Sequence, residues 1–337
     1  MRAIPKLSQL VGVACVLSLV ANCSPVPALN LAELIGRADL IVTGSLVSVK
    51  QLGLIKAEVA GRSRQVHLMT GTVRIAEVLK GNPRGQDVTL RWIVPEESDG
   101  YASIPEGIYR LIFLRSGTES SYEVASVHYP TLVAVPETQS EGTTVTDRVI
   151  NQLAAVVRST TTRPEDRVEA INALSTIESA TVVSILKRAL REQDASVQLA
   201  AAAILLERND ISALPLVEAK LVSPVANLPP YLRHNLLFGI SEGVKDEKAI
   251  PMLSQLMQLS DVEARRSAAS ALRHTQSREA IVPLLSALSD RDFEVRYYAA
   301  IGLAETTGQS DWRPLMEDFK ANEQKYLIHW KNLANPR

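Results

Sequence analysis

Hydrophobic positions in the second half of the chain recur at the spacing of an α-helix, and the helices they predict recur in turn. One frame keeps returning: an apolar residue, an arginine, any two residues, a small pair, any residue, then a small residue and a leucine. It is clearest in Ala264-Arg265-Arg266-Ser267-Ala268-Ala269-Ser270-Ala271-Leu272 and Val295-Arg296-Tyr297-Tyr298-Ala299-Ala300-Ile301-Gly302-Leu303. Earlier copies centre on Arg167, Gln198 and Arg233, so the anchors lie at 167, 198, 233, 265 and 296, with gaps of 31, 35, 32 and 31 residues. Positions −1, +3, +4 and +7 from each anchor share one helical face, small and apolar. A second amphipathic helix precedes each copy, roughly over 146–157, 180–190, 213–221, 249–256 and 279–288. Pro215, Pro251, Pro283 and Pro314 recur near the starts of partner helices, where a missing N–H costs little. Asp194, Asp261 and one of Asp290 or Asp292 precede the small-residue helices as N-caps. Neither helix of such a pair buries its apolar face alone, so the pairs must stack.

Before residue 137 the period changes from helical to alternating. After a short helix over 31–36, β-branched runs appear at 38–49, 66–78, 87–94, 107–114, 121–127 and 131–135. Turn signals such as Lys80-Gly81-Asn82-Pro83, Asp99-Gly100 and Ser116-Gly117 separate them. Five or six short strands in this length predict a small barrel or sandwich. The polar stretch 138–144 reads as the linker to the helices.

The stretch Ser289-Asp290-Arg291-Asp292-Phe293-Glu294-Val295-Arg296 followed by Ala299-Ala300 resembles the HEAT-like repeats of bacterial scaffold proteins. The resemblance covers 144–337 and implies a solenoid with the small-residue helices on the concave face and their partners on the convex one. Two departures stand out: Gln198 replaces the anchor arginine in the second copy, and the third has a Pro-rich inter-helix loop over 222–230 without an Asp cap. Ala38-Asp39-Leu40-Ile41-Val42-Thr43-Gly44 with Glu77-Val78-Leu79-Lys80-Gly81 looks like a β-domain of exported bacterial proteins, OB-like or netrin-like. The expected architecture is α+β and multidomain: a small antiparallel β-barrel or sandwich over 29–137, a linker over 138–144, then an α–α superhelix over 145–337 of about five helix pairs and a C-terminal cap. Trp312, Phe319, Tyr326 and Trp330 concentrate aromatics where a terminal repeat must cover its open face.

Residues 1–28 read as a targeting signal: Arg2 and Lys6 precede an apolar run over 10–21 that is short for a membrane span. Two endings compete. Val26-Pro27-Ala28 suits a general signal peptidase, whereas Val20-Ala21-Asn22-Cys23-Ser24 resembles a lipobox in which Cys23 carries lipid, although Asn22 departs from the small residue expected there. The expected location is therefore the periplasm, the outer surface or the medium, with membrane attachment only through Cys23. Both cysteines, Cys15 and Cys23, fall in this region, which leaves no internal disulfide and no Cys-based metal site. The balance of 36 basic against 37 acidic residues gives no field for nucleic acid.

Chemistry-bearing motifs are missing from the sequence. His67, His128, His234, His274 and His329 stand singly, and no H-E-x-x-H, G-x-S-x-G, P-loop or dinucleotide fingerprint is present. Glu96, Glu97 and Asp99 form a loop cluster that reads as solvated. No catalytic residue, cofactor or metal is therefore expected. HEAT-like repeats also occur in chromophore lyases of photosynthetic antennae, but an export signal and an unrelated β-domain argue against that role. The expected function is a non-catalytic extracytoplasmic scaffold that binds a protein through the concave face. Its contact residues are expected beside the anchors: Glu169, His234, Asn235, Arg266, Tyr297 and Tyr298, the two tyrosines foremost. The anchors Arg167, Gln198, Arg233, Arg265 and Arg296 are read as a structural ladder, each arginine paired with a nearby Asp. Two alternatives remain: a binding or inhibitor module acting through the β-domain, with the repeats as support, and an enzyme with a dispersed site.

Overall fold

The computed structural model describes residues 29–59, 62–95, 104–118, 120–136, 140–222 and 229–334. Residues 1–28, expected above to be a targeting signal and containing Cys23, and the cluster Glu96, Glu97 and Asp99 lie outside the described residues.

Helix α1 (Leu31–Arg37) is capped by Asn30, whose side chain accepts the Glu33 N–H at 3.0 Å. Six strands follow: β1 (Leu40–Val59), β2 (Arg62–Lys80), β3 (Asp87–Pro95), β4 (Tyr109–Ser116), β5 (Tyr122–Val124) and β6 (Thr131–Val133). β1 pairs antiparallel with β2 on one edge and, over Leu40–Ser45, with β4 on the other. β2 pairs with β3, while β5 and β6 share the far edge of β4. A parallel junction, Leu90 with Tyr122 and Arg91 with Glu123, joins β3 to β5. The circuit β1-β2-β3-β5-β4-β1 thus returns on itself. Its closing junction is two pairs long, so the sheet is rolled and antiparallel-dominated without being a clean barrel.

The expected first strand stops ten residues too early. Gln51, Gly53, Lys56 and Glu58 lower the strand signal after residue 49, yet β1 runs on to Val59 because β2 offers it a continuous ladder down to Arg62. Bulges at Leu46/Ser48 and Gln51/Gly53 twist this ribbon. At Gly44 the ribbon is so tight that a Cβ would meet the Arg74 carbonyl oxygen at 2.1 Å.

Alternation along β1 and β4 divides their side chains between two cores. Leu40, Val42, Ile112 and Leu114 face the inside of the rolled sheet with Val73, Leu90 and Trp92. Ile41, Leu111 and Phe113 face outward into a second cluster, which contains α1 and runs on through the helices to Trp330. Both faces being buried explains why Leu111-Ile112-Phe113-Leu114 is apolar at every position. The connecting segment is docked as well: Ser140 gives its N–H and Oγ–H to Glu77 at 2.9 and 2.6 Å, and the buried Gln152 side chain donates to both residues.

The helices form two layers. α2 (Val145–Arg158), α4 (Ala180–Ala189), α6 (Leu214–Val222), α8 (Ile250–Leu256) and α10 (Ile281–Ala287) alternate along the chain with α3 (Pro164–Leu174), α5 (Ala195–Glu207), α7 (Pro230–Phe238), α9 (Val262–His274) and α11 (Phe293–Thr307). The second set carries the anchors, and its members pack in order α3, α5, α7, α9, α11. Asp194, Asp261 and Asp292 cap α5, α9 and α11 through their carboxylates. α7 has no side-chain cap and begins instead with Pro230 at its first position. A π-helical turn, Gly239–Gly243, then presses against α5, where a Cβ on Gly243 would meet the Leu206 carbonyl oxygen at 2.1 Å. The last helix, α12 (Met316–Ala334), bends at Asn322 and closes the stack with Phe319, Tyr326 and Trp330, all buried. Trp312 stacks flat on His329 with ring centroids 3.5 Å apart.

Candidate functional site

The anchors are used up in holding the repeats together. Arg265 places a two-pronged guanidinium on Asp290 at 2.8 and 3.1 Å, and gives its remaining N–H groups to the carbonyls of Leu259 and Ser260 at 3.0 Å. Arg167 bonds the Val157 carbonyl and Glu192 at 2.8 and 2.6 Å. Arg296 bonds the Asp290 carbonyl at 2.8 Å and pairs with Glu323. Arg233 pairs with Asp261 and Glu263. Gln198 keeps only the carbonyl half, donating to Glu192 O at 2.6 Å. Each of Arg167, Arg265 and Arg296 therefore satisfies a carbonyl in the last turn of the preceding helix or in the loop just after it, while its charge meets a carboxylate from farther along the chain.

A set of side chains that shares only Arg233 with the anchors lines a trough on the anchor-bearing layer. Its first basin, 760 Å³, lies between the sheet and α3, α5 and α7, with Arg110, His128, Tyr129 and Leu132 on the sheet side and Glu165, Glu169, Asn172, Glu207, Tyr231 and Asn235 among the residues opposite. A second basin of 470 Å³ continues along α7, α9 and α11, walled by Arg233, His234, Phe238, Glu263, Arg266 and Tyr298. The lining obeys a rule. Position +2 from every anchor (Glu169, Ala200, Asn235, Ser267, Tyr298) borders one basin or the other. Positions −2, +5 and +9 contribute Glu165, Tyr231, Glu263, Asn172, Phe238 and Glu207, which is helical spacing along a single stripe.

Electrostatics in the first basin are set by burial. The Glu169 carboxyl is pushed above the ordinary glutamate range by loss of water, which the nearby Arg110 charge and the Val133 N–H bond only partly offset. Burial raises Glu207 in the same direction, against the pull of Arg208. Arg110 and Val133 are cross-strand partners in β4 and β6, so the sheet register brings both to Glu169. The Nε of Arg110 is buried with no hydrogen-bond partner among the described residues. In the second basin burial raises the Tyr298 hydroxyl. Behind it, burial and then the Arg273 charge push the His274 imidazole down, against its 2.9 Å bond to the Ser241 carbonyl.

Of the residues expected at the contact surface, Glu169 and Asn235 border the first basin, and His234, Arg266 and Tyr298 the second. Arg266 is also engaged by Asp292 and Glu294. Tyr297 points elsewhere, packing among Phe293, Phe319 and Tyr298 at the start of the cap. Missing from the expectation were Glu165, Glu207, Tyr231 and Phe238, which the −2, +5 and +9 positions would have found, and Arg110, His128 and Tyr129, which no helical frame could find. Among the described residues no group of three His, Cys, Asp or Glu side chains is placed to hold a metal ion. No helix of the described chain is long and apolar enough to cross a membrane.

Comparison with known proteins bears on the helical part. Residues 220–304, from α6 into α11, match a family model of HEAT repeats. Similar solved structures include the YibA protein of Escherichia coli, at 22% identity over 46% of this chain and 59% of that one, with a TM-score of 0.33. Two engineered proteins are similar at 20% and 18% identity, covering 54% and 57% of this chain and 97% and 63% of theirs, with TM-scores of 0.34 and 0.35. The chain thus spans well under two thirds of YibA. No curated protein matches the sequence. With the family match and the paired layers together, the helical half is a stack of HEAT-like repeats following an antiparallel-dominated sheet.

Proposed function

We propose that this protein is a non-catalytic scaffold working outside the cytoplasm, and that it grips a segment of a protein partner in the trough. HEAT-like repeats are built for protein interaction, and the observation that carries the reading here is the middle helix of the trough. α7 leaves Tyr231 and Phe238 half in water, 52% and 51% exposed, one bordering each basin. Large aromatics left open beside polar groups are the usual anchors of a protein contact. The rolled sheet, taken as an OB-like and partly open barrel, supplies the opposite wall through Arg110, His128 and Thr131. Sheet and repeats then act as one binding surface, and neither serves merely as support. Residues 1–28 would direct export, with Cys23 as the lipid attachment point if the lipobox ending is used.

Photo-crosslinking side chains placed at 231, 238 and 282 test the reading in the native host. Val282 is 74% exposed on α10, in the other layer. The same partner captured from 231 and 238, and not from 282, supports the trough. Capture from 282 alone, or none that Tyr231→Ala with Phe238→Ala weakens, would retire it. Accessibility of the purified cells' surface to a protease reports the location separately.

A further inference from the structure

The β1–β2 ribbon outruns the sheet that supports it. Among the described residues β3 makes its last pair with β2 at Val66, opposite Ile55 on β1, and only β1 and β2 pair over 56–59 and 62–65. On the other side, β4 leaves β1 at Ser45, followed only by a bridge between Leu46 and Glu106. Among the described residues, no strand pairs with that edge of β1 from 47 to 59. Leu54 and Ile55 are nonetheless 47% and 40% exposed there. A lone two-stranded hairpin is marginal in water, and proteins ordinarily guard an apolar open edge.

Beyond the bulge at Gln51/Gly53 the register is regular, from Leu54 opposite His67 to Glu58 opposite Ser63. Leu54, Lys56 and Glu58 therefore share one face, and Ile55 and Ala57 the other. Lys56 lies opposite Gln65 and Glu58 opposite Ser63, so neither charge meets an opposite charge across the ribbon. Both side chains are exposed.

We propose that this edge is a homodimerisation element, in which β1 of one copy pairs antiparallel with β1 of a second about a two-fold axis at Ala57. Over 55–59 that pairing extends the sheet across two copies and satisfies open N–H and C=O groups of both. It sets Lys56 opposite the partner's Glu58, and Glu58 opposite the partner's Lys56, with the alanines abutting on the other face. The neighbouring registers are excluded by the same charges: an axis at Lys56 sets lysine against lysine, and an axis at Glu58 sets glutamate against glutamate. Opposite charges directly across an antiparallel pair stabilise it and like charges oppose it, so of the three registers centred on 56, 57 and 58 the charges favour the one at Ala57.

Light-scattering mass of the purified full chain over a wide concentration range tests this, with K56E, E58K and the exchange K56E/E58K. The wild type is expected to reach the mass of two chains. Each single reversal replaces two attractive pairs by two repulsive ones and weakens the dimer by about tenfold or more. The exchange restores wild-type association, and circular dichroism stays unchanged throughout because both side chains are exposed. A one-chain mass at every concentration overturns the proposal. So does a dimer that ignores the single reversals, or one that the exchange fails to rescue.

Discussion

Replacing Arg265 by alanine isolates the ladder from everything else in the stack. The side chain is 5% exposed and that of its Asp290 partner 12%, so the pair is largely shielded from water. Asp290 would lose both bonds to the guanidinium, the Leu259 carbonyl would lose its donor, and the Ser260 carbonyl would keep only the 3.4 Å bond from Arg291. Stranding one member of a buried ion pair costs about 3–5 kcal/mol. Asp290 keeps the Asp292 N–H at 2.8 Å, which places the expected loss near the lower bound, about 3 kcal/mol. Arg266 is the internal control. It sits one residue on and bonds Asp292 through the same two-pronged geometry, but its side chain is 34% exposed, so Arg266→Ala should cost about 1 kcal/mol or less. Replacing both partners, Arg265→Met with Asp290→Leu, removes the stranded charge along with the bonds and should recover most of the loss. Urea unfolding measures these differences. Hydrogen exchange read by mass spectrometry locates them, because a stack in which each pair touches only its neighbours should open locally, between α8 and α11. Equal costs for Arg265→Ala and Arg266→Ala, or faster exchange spread evenly over the chain, would refute the ladder as a source of stability.

Three further predictions follow from burial. Trp330→Ala removes the largest fully buried side chain of the cap and should cost about 3–5 kcal/mol, with lower melting temperature and greater aggregation. Gly243→Ala drives a methyl into the Leu206 carbonyl and should destabilise by about 2 kcal/mol or more, seen as faster exchange in α5 and the π-helical turn; wild-type exchange would show that the turn can shift. Glu169→Gln should stabilise most at neutral pH. Burial raises the native carboxyl, so the folded state holds its proton more tightly than the unfolded chain, and stability falls as pH climbs from the ordinary glutamate range through the raised value. Urea midpoints of the two proteins should converge below that range, and a constant gap across pH would contradict the assignment.

The helical half was legible because its forces are local and repeated. An arginine that must reach carbonyls at the end of the preceding helix sits at the same place in most copies, and the small pair at +3 and +4 follows from close helix packing. The repeat pattern suggests an Asp partner from the same repeat or its neighbour; Arg233 and Arg265 do meet Asp261 and Asp290, whereas Arg167 and Arg296 take Glu192 and Glu323, all 25 to 28 residues on. The distal half of β1 was illegible because its strand state comes from β2 and not from its own composition. Arg110 and His128 could not be assigned to the trough either. They reach it only because Ile41, Leu111 and Phe113 turn one face of the sheet into the helical core.

Comparison among the repeats separates the structural positions from the functional ones without any second sequence. Four of the five anchors are arginine, and all five spend polar groups on contacts within the stack, although Arg233 also borders the second basin. Two residues further, about 200° around the helix, the five copies carry Glu169, Ala200, Asn235, Ser267 and Tyr298: an acid, a methyl, an amide, a hydroxyl and a phenol. A position that answers the same packing demand in each repeat converges on one residue type. One that answers to whatever lies against it, place by place, has no reason to converge. The +2 stripe borders the trough from end to end and makes none of the ladder contacts, so it is free to be written for a ligand while the anchors keep the stack intact. Substitutions along that stripe should therefore separate binding from stability, which substitutions at the anchors cannot do.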